Sequence, residues 1–291
     1  MSLEQVFTRA QQGLELVAQF FQVSPAGATV DAYGRDLAAM ELARPFANFL
    51  YEDYWRVHAR GLQHIPDHGA ALIVANHSGA LAYDAVMIHM AIYKYARSHR
   101  LTRFLAENFL YYLPFLGTFI NRLGGVRACP ENAERLLHAG ELVAVFPEGV
   151  KGIGKLYRDR YRLARFGRGG AVRLALKCGV PIIPCAVIGA EEIHPILYRS
   201  SLLAKLCGVP YLPITPTFPW LGPLGLVPLP SQWLIRFDRP ISYAQYSAET
   251  ADDPFAIHSL SEALRDRIQR LVAKGLRERE RVVKQRYALP L

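Results

Sequence analysis

The chain carries two rhythms of apolar and polar positions. Over residues 2–22, Leu3, Val6, Phe7, Ala10, Leu14, Val17, Ala18 and Phe21 recur at three- and four-residue intervals. That spacing keeps one face of a helix apolar. Ser2 and Gln5 stand at capping-box spacing at its start. Ser24-Pro25-Ala26-Gly27 breaks the pattern, and a second helical stretch is expected from about Val30 to Val57. Such a pair either packs on the main body of the protein or rests as a hairpin on a membrane.

From Gly69 the rhythm changes. Short apolar runs rich in β-branched residues appear at Ala71–Ala75, Arg103–Ala106, Leu142–Phe146, Ile182–Ile188 and Trp233–Phe237. They alternate with helical stretches at Asp84–Ser98, Glu131–Ala139 and Gly170–Cys178. This alternation predicts an α/β fold with a mostly parallel central sheet and helices on both faces. A last helix, from Ser259 to about Arg286, has a Ser259/Glu262 capping box. One face carries Leu260, Leu264, Ile268, Leu271 and Val272, and the other is largely arginine. The expected organisation is an N-terminal helical pair over residues 1–58, an α/β domain over 59–258, and a basic amphipathic helix and tail over 259–291.

Leu206 to Ile235 fits neither rhythm. It has no charged residue, yet its seven prolines prevent a continuous helix of membrane-spanning length. It is expected as a long apolar excursion that touches lipid, covers an acyl-chain pocket or packs as a rigid loop. The N-terminus lacks the basic start and apolar core of a signal peptide, and no uninterrupted apolar helix of transmembrane length is expected.

Composition adds the kind of partner. Hydrophobic residues make up 51% and charged residues 20%, which suits a large buried sheet or a protein that works against lipid. The net charge of +9 is concentrated. Lys151 to Arg173 holds eight basic residues against Asp159 alone, and Glu262 to Arg286 holds nine against four acidic ones. Two such patches attract phosphates, whether on a lipid surface, a nucleotide-like cofactor or nucleic acid. The standard nucleic-acid-binding motifs are missing. Cys129, Cys178, Cys185 and Cys207 show no metal or redox spacing and read as small apolar residues in a reducing compartment.

Candidate chemistry sits at the ends of the expected strands, the edge where parallel sheets gather their sites. Asn76-His77-Ser78-Gly79 follows the run Ala71–Ala75, and Asp84 lies at the start of the next helix. A carboxylate that holds one imidazole nitrogen protonated leaves the other free to take a proton from a hydroxyl. The plain alternative is a histidine that hydrogen-bonds a strand end. Phe146-Pro147-Glu148-Gly149-Val150-Lys151-Gly152 follows the next run, Leu142–Phe146. A glutamate there needs a cation, a hydroxyl or free backbone N–H groups. Its glycines do not have the GxGxxG spacing of a nucleotide loop. Two further blocks are Gly124-Gly125-Val126-Arg127 and Val180-Pro181-Ile182-Ile183-Pro184.

In this order the four blocks resemble the glycerolipid (lysophospholipid) acyltransferase family, over about residues 60–189. The resemblance implies that His77 deprotonates an acceptor hydroxyl, with Asp84 orienting the imidazole. It implies that Glu148 and Gly149 position the acceptor, and that Arg127 and Lys151 bind its phosphate. It further implies an acyl-CoA or acyl-carrier-protein donor, a lysolipid or other lipid alcohol as acceptor, no metal or resident cofactor, and work at the cytoplasmic face of an anionic membrane. Two departures stand out. Six residues, rather than the family's usual four, separate His77 from Asp84, and Lys151 stands where many members have arginine. Lysine keeps the charge without the bidentate fork. The rival readings are a lipid-binding or membrane-tethering protein without catalysis, an acyltransferase for a different alcohol, and a hydrolase with Ser78 as nucleophile. The last lacks a G-x-S-x-G elbow.

Overall fold

The computed structural model describes residues 30–78, 81, 83–200, 204 and 209–287. The expected helix over residues 2–22 lies outside them. The second helical stretch is shorter than expected: α1 spans Leu37–Asn48 and continues as a π-helical turn through Phe49–Tyr54. A tight turn occupies the start of the expected range. Asp36 then caps the helix by accepting from the N–H groups of Ala38 and Ala39.

Seven strands form the main sheet: β1 (His58–Arg60), β2 (Ala71–Ala75), β3 (Thr102–Ala106), β4 (Gly125–Arg127), β5 (Leu142–Val145), β6 (Ile182–Ile188) and β9 (Leu234–Phe237). Their spatial order is β1-β9-β6-β2-β5-β3-β4. Every pair is parallel except β6 with β9. Strand β2 is central, and β2, β5 and β6 are buried along their whole length. Burial on both faces explains why these strands read as unbroken apolar runs rather than alternating ones.

The helices lie on the two faces of the sheet. α2 (Tyr83–Tyr95) places Met87, Ile88 and Ile92 against Ile73 and Ile183 on one face. Leu50, Tyr51 and Trp55 join that cluster, so the turn after α1 is part of the core. α4 (Pro130–His138), α6 (Gly170–Cys178) and α7 (Pro254–Tyr287) cover the other face. The short α3 (Leu116–Arg122) and α5 (Val150–Ile153) sit in the crossovers.

α7 starts earlier than its sequence suggests. Asp253 accepts from the N–H groups of Phe255 and Ala256, and Pro254 occupies the first turn, so Ser259 and Glu262 lie inside the helix. Its apolar stripe, Leu264, Ile268, Leu271 and Val272, is buried in the domain core and is not available to a membrane. The described part of the uncharged excursion is not one loop. It contains β8 (Leu212–Ile214), paired antiparallel with β7 (Tyr198–Ser200), then a 3-10 turn at Gly222–Leu226. Among the described residues, no helix is long and apolar enough to cross a membrane.

Candidate active site

The register of the sheet brings the two polar blocks side by side. Val74 of β2 pairs with Val145 of β5, so both strands end at the same level and their next residues leave the sheet together. Asn76 fixes the exit of β2. Its side-chain amide donates to the Val187 carbonyl at 2.9 Å and accepts from the Val187 N–H at 2.8 Å, a backbone-like bridge to β6.

His77 follows, and its Nδ1 lies 2.7 Å from Asp84 Oδ2. Asp84 is fully buried at the first turn of α2. The same Oδ2 accepts the Ser78 N–H at 3.0 Å, and Oδ1 accepts the N–H of Ala85 at 2.9 Å. Three nitrogen atoms surround this one buried carboxylate, whose Oδ2 faces the imidazole. The six-residue spacing therefore still delivers the carboxylate. The His77 ring also stacks on Phe146 at a centroid distance of 4.4 Å, which fixes its plane.

Glu148 is the second anchor, and its place differs from the expected acceptor-binding role. Its side chain is completely buried. Oε1 accepts the His77 main-chain N–H at 2.9 Å, and Oε2 accepts the Ala164 N–H. Lys155 Nζ lies 3.3 Å from Oε2 and 3.1 Å from Glu191 Oε1. Glu191 also accepts the Tyr161 N–H at 2.7 Å. Glu148 thus braces the backbone of His77 and is itself braced by a buried cation. Burial pushes the Glu191 carboxyl above the usual glutamate range, against the opposing pull of Lys155 and Tyr161.

Two glycines make this packing possible. Gly149 has φ +53°, in the region that side chains avoid, and starts the turn into α5. A Cβ on Gly152 would lie 2.8 Å from the Cβ atoms of both His77 and Glu148. The chain after Glu148 therefore folds directly against the histidine.

The two expected phosphate ligands stand apart from this knot. Lys151 is exposed on α5. Arg127 is exposed at the end of β4, with Nε donating to Asn108 Oδ1 at 2.7 Å. Strands β5 and β3 separate β4 from β2, so Arg127 stands three strand spacings, about 14 Å, from the His77 strand along the same edge. Lys155 and Glu191 were not singled out from the sequence. The only signal was a buried-strand end, β6, followed within four residues by two glutamates. Among the described residues, no group of three or more histidines, cysteines and acidic residues is placed to hold a metal ion.

A family profile described as Acyltransferase matches residues 56–188, the stretch that contains every block above. An uncharacterized protein of Mycobacterium tuberculosis is 46% identical over 255 residues, 87% of this chain and 71% of that one. A second, from Mycobacterium leprae, is 42% identical over 97% of this chain and 77% of its own length. The chain belongs to the acyltransferase family. A chicken protein named as a DGAT1/2-independent enzyme synthesizing storage lipids is 29% identical over 55% of this chain and 47% of its own. The crystal structure of a 1-acyl-sn-glycerophosphate acyltransferase, PlsC, from Thermotoga maritima superposes with a TM-score of 0.53 at 17% identity. It covers 90% of this chain and 88% of that one, which establishes a shared α/β fold.

Proposed function

We propose that this acyltransferase moves a fatty acyl group from an acyl thioester, acyl-CoA or acyl-carrier protein, to a hydroxyl of a lysophospholipid or related lipid alcohol. The observation that carries the reading is the His77 Nδ1–Asp84 contact at 2.7 Å, at the carboxyl edge of the central strand. With Nδ1 held by the carboxylate, Nε2 is the nitrogen that takes the acceptor's proton. The acceptor oxygen attacks the thioester carbonyl carbon, the C–S bond breaks, and the imidazolium returns its proton to the departing thiolate. Asp84 stabilises the imidazolium in between. Glu148 keeps the backbone that carries His77 in place. Arg127 and Lys151 lie at the same edge as exposed cations suited to the phosphates of donor or acceptor.

A hydrolase built on Ser78 fits poorly, because Ser78 Oγ is buried and makes no hydrogen bond, including to His77. A tethering protein without catalysis would not need the desolvated His77–Asp84–Glu148 arrangement, which is costly unless used. The test is a transfer assay on the purified chain, pairing labelled acyl-CoA and acyl-carrier-protein donors with lysophosphatidate, other lysolipids and monoacylglycerol in vesicles. The expected result is labelled product with at least one lysolipid. Free fatty acid as the sole product, or no turnover with any pair, contradicts the reading.

A further inference from the structure

Of the seventeen large apolar side chains exposed among the described residues, nine follow strand ends on the edge that carries His77. Strands β2, β3, β4, β5 and β6 all end on that edge, because all run in the same direction. Past the end of β3 stand Tyr112, 78% exposed, and Phe115, 77% exposed. In the His77–Asp84 loop Leu81 is exposed. Past the end of β6 come Leu197 and Tyr198, and the chain leading into β9 adds Trp220, Leu221, Leu224 and Val227. Since β9 runs antiparallel to β6, the chain that enters it lies on the same edge.

The second group is held rigidly. Leu221 N–H donates to the Thr217 carbonyl, and Thr217 Oγ1 donates to the Gly225 carbonyl at 2.9 Å. The loop is tied to the domain through Leu229 N–H to the Ile193 carbonyl and His194 Nε2 to the Leu226 carbonyl. A tied loop that still leaves Trp220 74% and Leu224 73% exposed is a presented surface rather than a frayed one. Exposed cations share the edge. Arg127 ends β4, Lys151 follows β5, and Arg158 and Arg160 flank Tyr157, whose N–H donates to the Ile196 carbonyl beside Leu197. Arg199 lies in β7 among the apolar residues. Asp159 is 3.7 Å from Arg158, and Glu107 and Glu131 follow the ends of β3 and β4 on the same edge.

We propose that this edge is a docking face for an anionic lipid surface, with Trp220, Leu224, Tyr112 and Phe115 entering the interface on either side of the His77 site. Aromatic and aliphatic side chains gain from insertion at the headgroup boundary, while arginines and lysines meet lipid phosphates. The choice of lipid as occupant rests on the proposed lipid acceptor. It places the catalytic histidine at the membrane without a spanning helix from the described residues.

The chain contains its own reporter. Of its three tryptophans, Trp55 and Trp233 are buried at 0% and 1% exposure and stack on each other, while Trp220 is exposed. With vesicles of phosphatidylglycerol and phosphatidylcholine, tryptophan emission should shift to the blue and be quenched by acyl-brominated lipids. Trp220→Phe should abolish both signals. The paired change Trp220→Ser with Leu224→Ser should weaken vesicle binding about ten-fold or more. It should slow transfer to a vesicle-borne acceptor while leaving transfer to a short-chain, monomeric acceptor intact. Vesicle binding without any change in Trp220 emission overturns the proposal, as does undiminished binding by the double variant. A Trp220 response to acyl-carrier protein but not to vesicles would make this a protein-docking face instead, which also overturns it. Quenching does not depend on turnover, so a wild-type chain that binds but transfers to neither acceptor would refute the proposed function and leave the docking face standing.

Discussion

Glu148 Oε1 accepts the main-chain N–H of His77 at 2.9 Å, across the gap between two adjacent strand ends. A side chain of one block therefore sets the backbone of the other. Glu148→Gln keeps an acceptor for His77 but turns an NH₂ group toward the Ala164 N–H and Lys155, both donors. The expected result is a fall in kcat of about a hundred-fold with a folded protein. Glu148→Ala removes half the partners of a buried cation and should also destabilise by about 3 kcal/mol, read from chemical denaturation.

In the proposed mechanism Asp84 orients the His77 ring and stabilises the imidazolium formed during transfer. Asp84→Asn retains the shape but cannot compensate an imidazolium, and its NH₂ group disturbs the donors at Ser78 and Ala85. Turnover should drop by about 10³-fold while KM for the donor stays within a few-fold. An equal loss in binding would point to collapse of the loop instead.

Glu191 gives a pH signature. Its pKa is raised by burial, so between the ordinary glutamate range and the higher folded value the native state binds more protons than the unfolded chain. Stability contributed by this group is therefore greatest at low pH and is lost as pH rises through the folded value. Glu191→Gln removes that titration. The stability difference between variant and wild type should move in the variant's favour as pH increases from about 4.5 upward, measured by urea unfolding across pH. A pH-independent difference would contradict the assignment.

Arg279 ties the long C-terminal helix to the crossover beside the site. Its Nη1 donates to Tyr161 Oη at 3.0 Å and to Glu192 Oε1 at 2.7 Å. Burial would raise the Glu192 carboxyl, but Arg279, Tyr161 and Ser231 outweigh it and hold it low. Arg279→Met should cost about 2 kcal/mol and raise the Glu192 pKa, visible by side-chain carboxyl NMR. With Glu192→Gln already present, the added cost should be much smaller.

Much of this fold was legible because burial writes itself into the sequence. β2 and β6 are apolar throughout, and their bounds match the runs Ala71–Ala75 and Ile182–Ile188. β1 and β4 span three residues each, too short to show a pattern, and went unread. Nothing in the sequence shows that β9 runs against β6. The ends of α7 and α1 were misplaced because Asp253 and Asp36, rather than Ser259 or the residues near Val30, supply the cap bonds.

The site divides the same way. His77, Asp84 and Glu148 stand next to recognisable strand ends, and the structure brings them together. The brace behind them was not readable, since Lys155 and Glu191 are 36 residues apart and meet only in the fold. Gly152 could be recognised as a glycine but not as the floor beneath His77.

The central claim is that His77 removes the acceptor's proton. Transfer of a radiolabelled acyl group to lysolipid should fall by 10³-fold or more in His77→Ala, with the unfolding transition still cooperative. His77→Ala with undiminished transfer would contradict the account.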